Sequence, residues 1–191
     1  MPQKSVKEQI VTAAVETLHM NGFNGTGVQD IAAAAGVPKG SLFNHFENKE
    51  ALGLEALDRY WQAGVEWLGT LDNPKVPPLK RLKTYFRGLT QAVEKRNYDT
   101  GCMIGNLALE MSASSPPIRE RLAAVFAAWS RGIETCVREA QADGSIRRDL
   151  NAKNVANLLL NFWQGAAMRA KVNKDNSSFA EFETVFKALT P

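Results

Sequence analysis

The sequence has only two cysteines, Cys102 and Cys136, and two histidines, His19 and His45, in 191 residues. Two cysteines are too few for a disulfide scaffold, so a reducing cytoplasm is the expected compartment. No cluster of residues has metal-ligand spacing and nothing resembles a catalytic triad, so neither a metal nor another cofactor is expected. No apolar run approaches the roughly 20 residues needed to span a bilayer, so no membrane partner is expected either. The opening residues lack a continuous apolar core and a small-residue cleavage site, which argues against a signal peptide. Strand-length alternation, internal repeats and low-complexity tracts are also missing. What remains is an ordinary globular balance, 45% hydrophobic and 23% charged, in a chain sized for one compact domain or a small domain fused to a medium one.

Charge is unevenly placed. The net charge is +3, but residues 1–70 carry 5 Lys/Arg against 8 Asp/Glu, whereas residues 71–191 carry 18 against 12. A nucleic-acid partner for the first part must therefore be held by placed groups, not by bulk basicity.

Nearly everything reads as helix. Val6, Ile10, Ala14 and Leu18 recur at steps of four, with Val11 and Val15 beside them, predicting an amphipathic helix over residues 5–20. Ser5 suits its N-cap, Asn21-Gly22 its stop, and Phe23 a C-capping apolar contact. "TGVQDIAAAAG" then starts a second helix. Thr26 and Gln29 have capping-box spacing, and Gly36 ends the helix about ten residues later. Pro38 suits the first turn of a third short helix reaching about Phe46. Asn48 is placed to cap a longer one, "KEALGLEALDRYWQAGVEWLGTL". "DNPKVPP" reads as a linker. Helices are predicted over about 78–96, 101–112, 117–142 and 151–172, and a last amphipathic piece carries Phe179, Phe182 and Phe186 on one face. The expected fold is all-α with about nine helices: a three-helix head over residues 1–64 and a helical bundle over 65–191.

Two short helices joined by a glycine turn behind a supporting helix make a helix-turn-helix, here at about residues 27–46. Ala32 and Ala35 allow the pair to approach closely, while Ile31, Val37 and Leu42 fill the space between them. Lys39, Gly40, Ser41, Phe43, Asn44 and His45 are left as the outward surface of the second helix. In such motifs that surface enters the major groove and the first helix crosses the phosphate backbone. A helix N-terminus offers free N–H groups that hold phosphate without bulk charge. Packing in an all-α protein explains the bare helix pair better; the detail of the donors shifts the reading toward double-stranded DNA, and the resemblance of this segment to a known family carries it further.

The segment "GFNGTGVQDIAAAAGVPKGSLFNHFENKEAL", residues 22–52, resembles the tetracycline-repressor (TetR) family, and the remainder matches it in architecture. The resemblance implies a homodimeric one-component transcriptional regulator. Such proteins are mostly repressors, released from a palindromic operator by a small-molecule inducer. It implies DNA contacts by Thr26 and Gln29 at the second helix, by Lys39, Gly40, Ser41, Asn44 and His45 on the recognition helix, and by Lys49 at the start of the fourth. Three positions depart from the family pattern. Phe43 stands where Tyr is usual, so a phosphate hydrogen bond is replaced by apolar contact, for which a thymine methyl is the natural partner. Ser41 replaces a frequent Thr, and Gly27 removes a hydroxyl. Gln29 has two competing roles, cap partner and DNA contact.

In the second half, "VANLLLNFWQGAAMRAKV" is apolar around most of its circumference, with Leu158, Leu159, Leu160, Phe162 and Trp163. Gly165, Ala166 and Ala167 permit close helix approach. A dimer interface and a buried central helix both fit. "YDTGCMIGNLALEMS" sets Cys102 between Gly101 and Gly105 near a predicted helix start, where a thiol's pKa falls. This stretch is similar to that of the electrophile-sensing NemR-like subgroup, which implies Cys102 as a sensor with Lys171 as a matching lysine. A buried structural cysteine is the alternative. Cys136 is expected to be inert. Trp67, Phe86, Trp129 and Trp163 fit a core better than a ligand box. An enzyme using Cys102 as nucleophile would have to take His19 or His45 from the head as its base. A third reading keeps DNA binding but acts through a protein partner.

Overall fold

The computed structural model describes residues 5–191, so the first four residues of the expected head lie outside it. Among the described residues the chain is helical without strands, as expected. The order is α1 (Val6–Asn21), α2 (Val28–Ala35), α3 (Lys39–Phe43), α4 (Lys49–Leu68), a 3₁₀ turn (Gly69–Asp72), α5 (Pro78–Glu94), α6 (Met103–Met111), α7 (Pro116–Ala142), α8 (Ala152–Asn173), α9 (Ser177–Ala180) and α10 (Phe182–Leu189). The last amphipathic piece is two helices because the helix breaks at Glu181.

The chain forms two compact units. One comprises the residues up to Ala63 together with Met103–Ala123; the other comprises Gly64–Cys102 and Ala124–Pro191. The first unit therefore contains α6 and the opening turns of α7 as well as α1–α3 and α4 up to Ala63. Polar contacts among the described residues help attach that added segment. The Glu110 carboxylate accepts from the Asn24 N–H at 2.8 Å. The Ser115 hydroxyl donates to Glu50, and Arg121 pairs with Asp58.

Local rules account for the boundaries in the first unit. Ser5 caps α1 through its Oγ, 3.2 Å from the Glu8 N–H. Asn48 caps α4, its Oδ1 accepting from the Ala51 N–H at 2.8 Å. Gly36 ends α2 in the left-handed region at φ 66, and the Val37 N–H returns to the Ala32 carbonyl. The core is made by Ile10, Leu18, Ile31, Leu42, Leu52 and Leu57, all buried. Phe23 lies against Gly53, where a Cβ would sit 2.7 Å from the ring.

In the second unit, α8 turns Leu159, Leu160, Trp163, Ala166, Ala167 and Ala170 inward. Phe182 and Phe186 pack against Phe86 of α5, with Phe86 and Phe182 centroids 4.8 Å apart, while Phe179 stacks on Trp163 of α8. Arg81 is buried and donates to the Leu71 carbonyl and to Glu139, tying the 3₁₀ turn and α7 to α5.

Candidate nucleic-acid interface and regulatory core

The recognition segment is shorter than the predicted third helix. Pro38 is the N-cap and helical geometry runs Lys39–Phe43, although the Phe46 N–H still bonds the Leu42 carbonyl at 3.0 Å. Leu42 and Phe46 face inward, as their i, i+4 spacing requires. Lys39, Gly40, Phe43, Asn44 and His45 are exposed, and Ser41 is half-buried. Phe43 leaves 51% of its surface in solvent, an unusual position for an aromatic ring. One short surface thus presents a cation, an amide, an imidazole, a hydroxyl and an apolar ring.

The start of α2 differs from expectation. The Thr26–Gln29 capping box does not form. Gly27 is the N-cap, and the Asp30 carboxylate, three residues on, accepts its N–H at 2.7 Å. Glycine has no side chain to return the bond, so only half a box exists. The shift frees Gln29, which is exposed. Thr26 is 1% exposed, and its hydroxyl donates to the Gly22 carbonyl at 2.7 Å. It holds the α1–α2 turn and does not present its hydroxyl outward, because that hydroxyl is turned onto the Gly22 and Thr17 carbonyls.

Lys49 is also engaged within the protein. Its ammonium reaches the Phe23 carbonyl and lies 4.3 Å from the centre of the Phe23 ring. Partial burial lowers its pKa from the usual lysine range, against the opposing pull of Glu110 and Asp30.

In the second unit, four of the six expected ligand-side residues, Trp67, Phe86, Trp129 and Cys102, converge on a residue that sequence reasoning passed over, Tyr85. Trp129 Nε1 donates to the Tyr85 hydroxyl at 2.7 Å. Trp67 stacks on its ring with centroids 6.4 Å apart and donates to its carbonyl at 3.2 Å. Phe86 meets it edge-on at 5.3 Å, and Trp163 lies 6.0 Å from Trp129. Cys102 is near enough to act on it electrostatically. Burial first, and that neighbour second, push the phenol's pKa well above its ordinary value against the Trp129 hydrogen bond, so Tyr85 stays neutral.

Cys102 itself is 4% exposed and accepts a hydrogen bond from Gln164 Nε2 at 3.4 Å. Gln164 was legible as a lone polar residue on the inward side of an apolar helix. Lys171 lies seven residues further along α8, on nearly the same face but about 10 Å along the axis. Cys136 donates to the Pro78 carbonyl at 3.4 Å, and burial raises its thiol pKa to about 11.

A groove of about 520 Å³ runs between α7 and α8, lined by Phe126, Ser130, Arg131, Lys153, Asn157 and Leu160 among others. Beside it α8 exposes Leu158, Met168 and Val172, at 49%, 55% and 78%. Gly165, midway along that stripe, has open space where a Cβ would be.

Residues 10–56 match the model described as bacterial regulatory proteins, tetR family, and residues 78–186 match the tetracyclin repressor-like C-terminal domain. The chain belongs to the TetR family. It is a DNA-binding transcriptional regulator. The transcriptional repressor DhaR of Mycobacterium sp. (strain GP1) is 37% identical over 100% of this chain and 96% of its own length. The crystal structure of regulatory protein TetR from Rhodobacter sphaeroides superposes with a TM-score of 0.90 at 30% identity, covering 95% of this chain and 97% of that one. The transcriptional repressor NemR of Escherichia coli (strain K12) is more distant, 23% identical over 90% of this chain and 87% of its own length. Within the TetR family, then, the likeness to the NemR-like subgroup is real but remote. Among the described residues no helix is long and apolar enough to cross a membrane.

Proposed function

We propose that this regulator is a repressor, active as a homodimer in the cytoplasm, that leaves a palindromic operator when a small molecule acts on its second half. The exposed polar face of α3 carries the reading. Lys39, Gly40, Ser41, Phe43, Asn44 and His45 would enter the major groove, with Gln29 at the adjoining end of α2 and Lys49 near the backbone. Residues 1–64 form the DNA-reading part, braced by α6, and residues 65–191 the part that pairs subunits and receives the inducer. The two heads need a spacing of roughly 34–36 Å to read successive turns of one duplex. The exposed Leu158, Met168 and Val172 stripe with the open Gly165 is the surface that supports pairing through α8. DhaR and NemR are both named repressors, which supports repression over activation.

The inducer is proposed to be an electrophile that acts at Cys102. Support comes from its place beside Tyr85 and Gln164, next to the start of α6, and from the distant likeness to NemR, one structure of which is described as a reduced form. Lys171 is retained as an accessory residue. The chain is proposed to act by binding and release, without turnover of a substrate. A gel shift with a duplex selected by the wild-type protein, with and without a quinone, tests the reading. Cys102→Ser should bind that duplex normally and no longer release it. Continued release by the variant would remove Cys102 from the mechanism.

A further inference from the structure

We propose that Glu110 is a positioning residue for DNA binding: it and Lys49 grip the two ends of a single peptide group in the turn that launches the helix-turn-helix. The peptide joins Phe23 to Asn24. Its carbonyl oxygen accepts from the Lys49 ammonium of α4, and its N–H donates to Glu110 Oε2 of α6 at 2.8 Å. A cation therefore sits at the negative end of the peptide dipole and an anion at the positive end. Both are charge-assisted hydrogen bonds, stronger than bonds between neutral partners. Rotating this peptide would break both at once.

The surroundings are shaped to the same end. Gly22 is in the left-handed region at φ 77, and a Cβ there would collide with the Glu110 carboxylate. The carboxylate thus occupies space that only glycine leaves open. The Phe23 ring lies under the Lys49 ammonium on one side and against Gly53 on another. Thr26 closes the turn back onto Gly22. Three residues beyond the gripped peptide, Gly27 caps α2. The direction of that peptide sets how the chain enters α2. Because α2 and α3 share Ile31 and Leu42, it also sets where the recognition face points. Glu110 is the one charged residue of α6, "MIGNLALEM". Its carboxylate is used outside the helix, on Asn24.

Electrostatics alone predicts the opposite effect from positioning, which makes the idea testable. Deleting a negative charge from a DNA-binding unit should tighten binding to a polyanion. If Glu110 positions the turn, Glu110→Ala must weaken it. The experiment titrates the full-length protein against a duplex selected by wild type from a random pool, at one fixed salt concentration. The expected result is a loss of about tenfold or more for Glu110→Ala. Glu110→Gln, which keeps an acceptor oxygen but no charge, should restore most of the affinity. Hydrogen exchange at the Asn24 amide should quicken in the alanine variant and not in the glutamine variant. Should Glu110→Ala fail to fold, Glu110→Asp, one methylene too short to reach Asn24, takes its place with the same expectation. Binding by Glu110→Ala equal to or tighter than wild type would overturn the proposal, as would equal losses in both the alanine and glutamine variants.

Discussion

Thr26 shows how much turns on one hydroxyl. Its spacing from Gln29 marks a capping box, yet the hydroxyl is buried against the Gly22 carbonyl and the cap belongs to Gly27. Spacing alone could not separate the two, because Thr26–Gln29 and Gly27–Asp30 differ by one residue and both end in an acceptor at the third helical position. Thr26→Val keeps the shape and leaves the Gly22 carbonyl short of a donor. A loss of about 1–2 kcal/mol is expected, read as a thermal midpoint a few degrees lower. An unchanged midpoint would show that the hydroxyl is not needed. The two cysteines separate at the same scale. Cys136 has its folded pKa raised to about 11 by burial, so it stays a thiol at neutral pH. A raised folded pKa favours the folded state below the ordinary thiol range, and that advantage fades as pH climbs from about 9 to about 11. Alkylation at pH 8 in the folded protein should therefore leave Cys136 unmodified, as peptide mapping would show; prompt labelling would contradict the assignment.

Among the elements, those with strong local signals were readable before any coordinates. α1, α4 and α8 carry apolar spacing over four or more turns, and Ser5, Asn48 and Gly36 mark ends that the structure keeps. α3 was readable in place but not in length, since Asn44 closes it while the backbone pattern persists to Phe46. The final helix pair was not separable from one helix, because Phe179, Phe182 and Phe186 satisfy a single face either way. Tyr85 and Glu110 were missed for a physical reason: each matters through partners far away in sequence, Trp129 and Asn24. α8 illustrates the gain from structure. Its near-continuous apolar circumference resolves into an inward face and an outward stripe through Leu158, Gly165, Met168 and Val172. A Cβ added at Gly165 meets open space, so the Gly165→Glu monomer should fold normally. Placed in the proposed pairing surface, the charge should convert the dimer to monomer in sedimentation velocity. A dimer that survives this change would move the interface off α8.

For the whole molecule, the surplus of negative charge in residues 1–70 means that DNA binding depends on orientation more than on attraction. Each groove contact is modest, and two heads held in register multiply their effect. The family likeness extends across nearly the full length, since DhaR aligns over 100% of the chain. The first unit's braces from α6, the turn after it and α7, namely Glu110, Ser115 and Arg121, then become part of how the reading face is kept in place. The central claim is that the outward side of α3 reads base edges. Its most direct measurement is the affinity of Lys39→Ala and His45→Ala for the wild-type-selected duplex at fixed salt, by fluorescence anisotropy. A lost base contact should cost about 1–3 kcal/mol in each variant, with thermal midpoints unchanged. Affinities equal to wild type in both would contradict the assignment of that face.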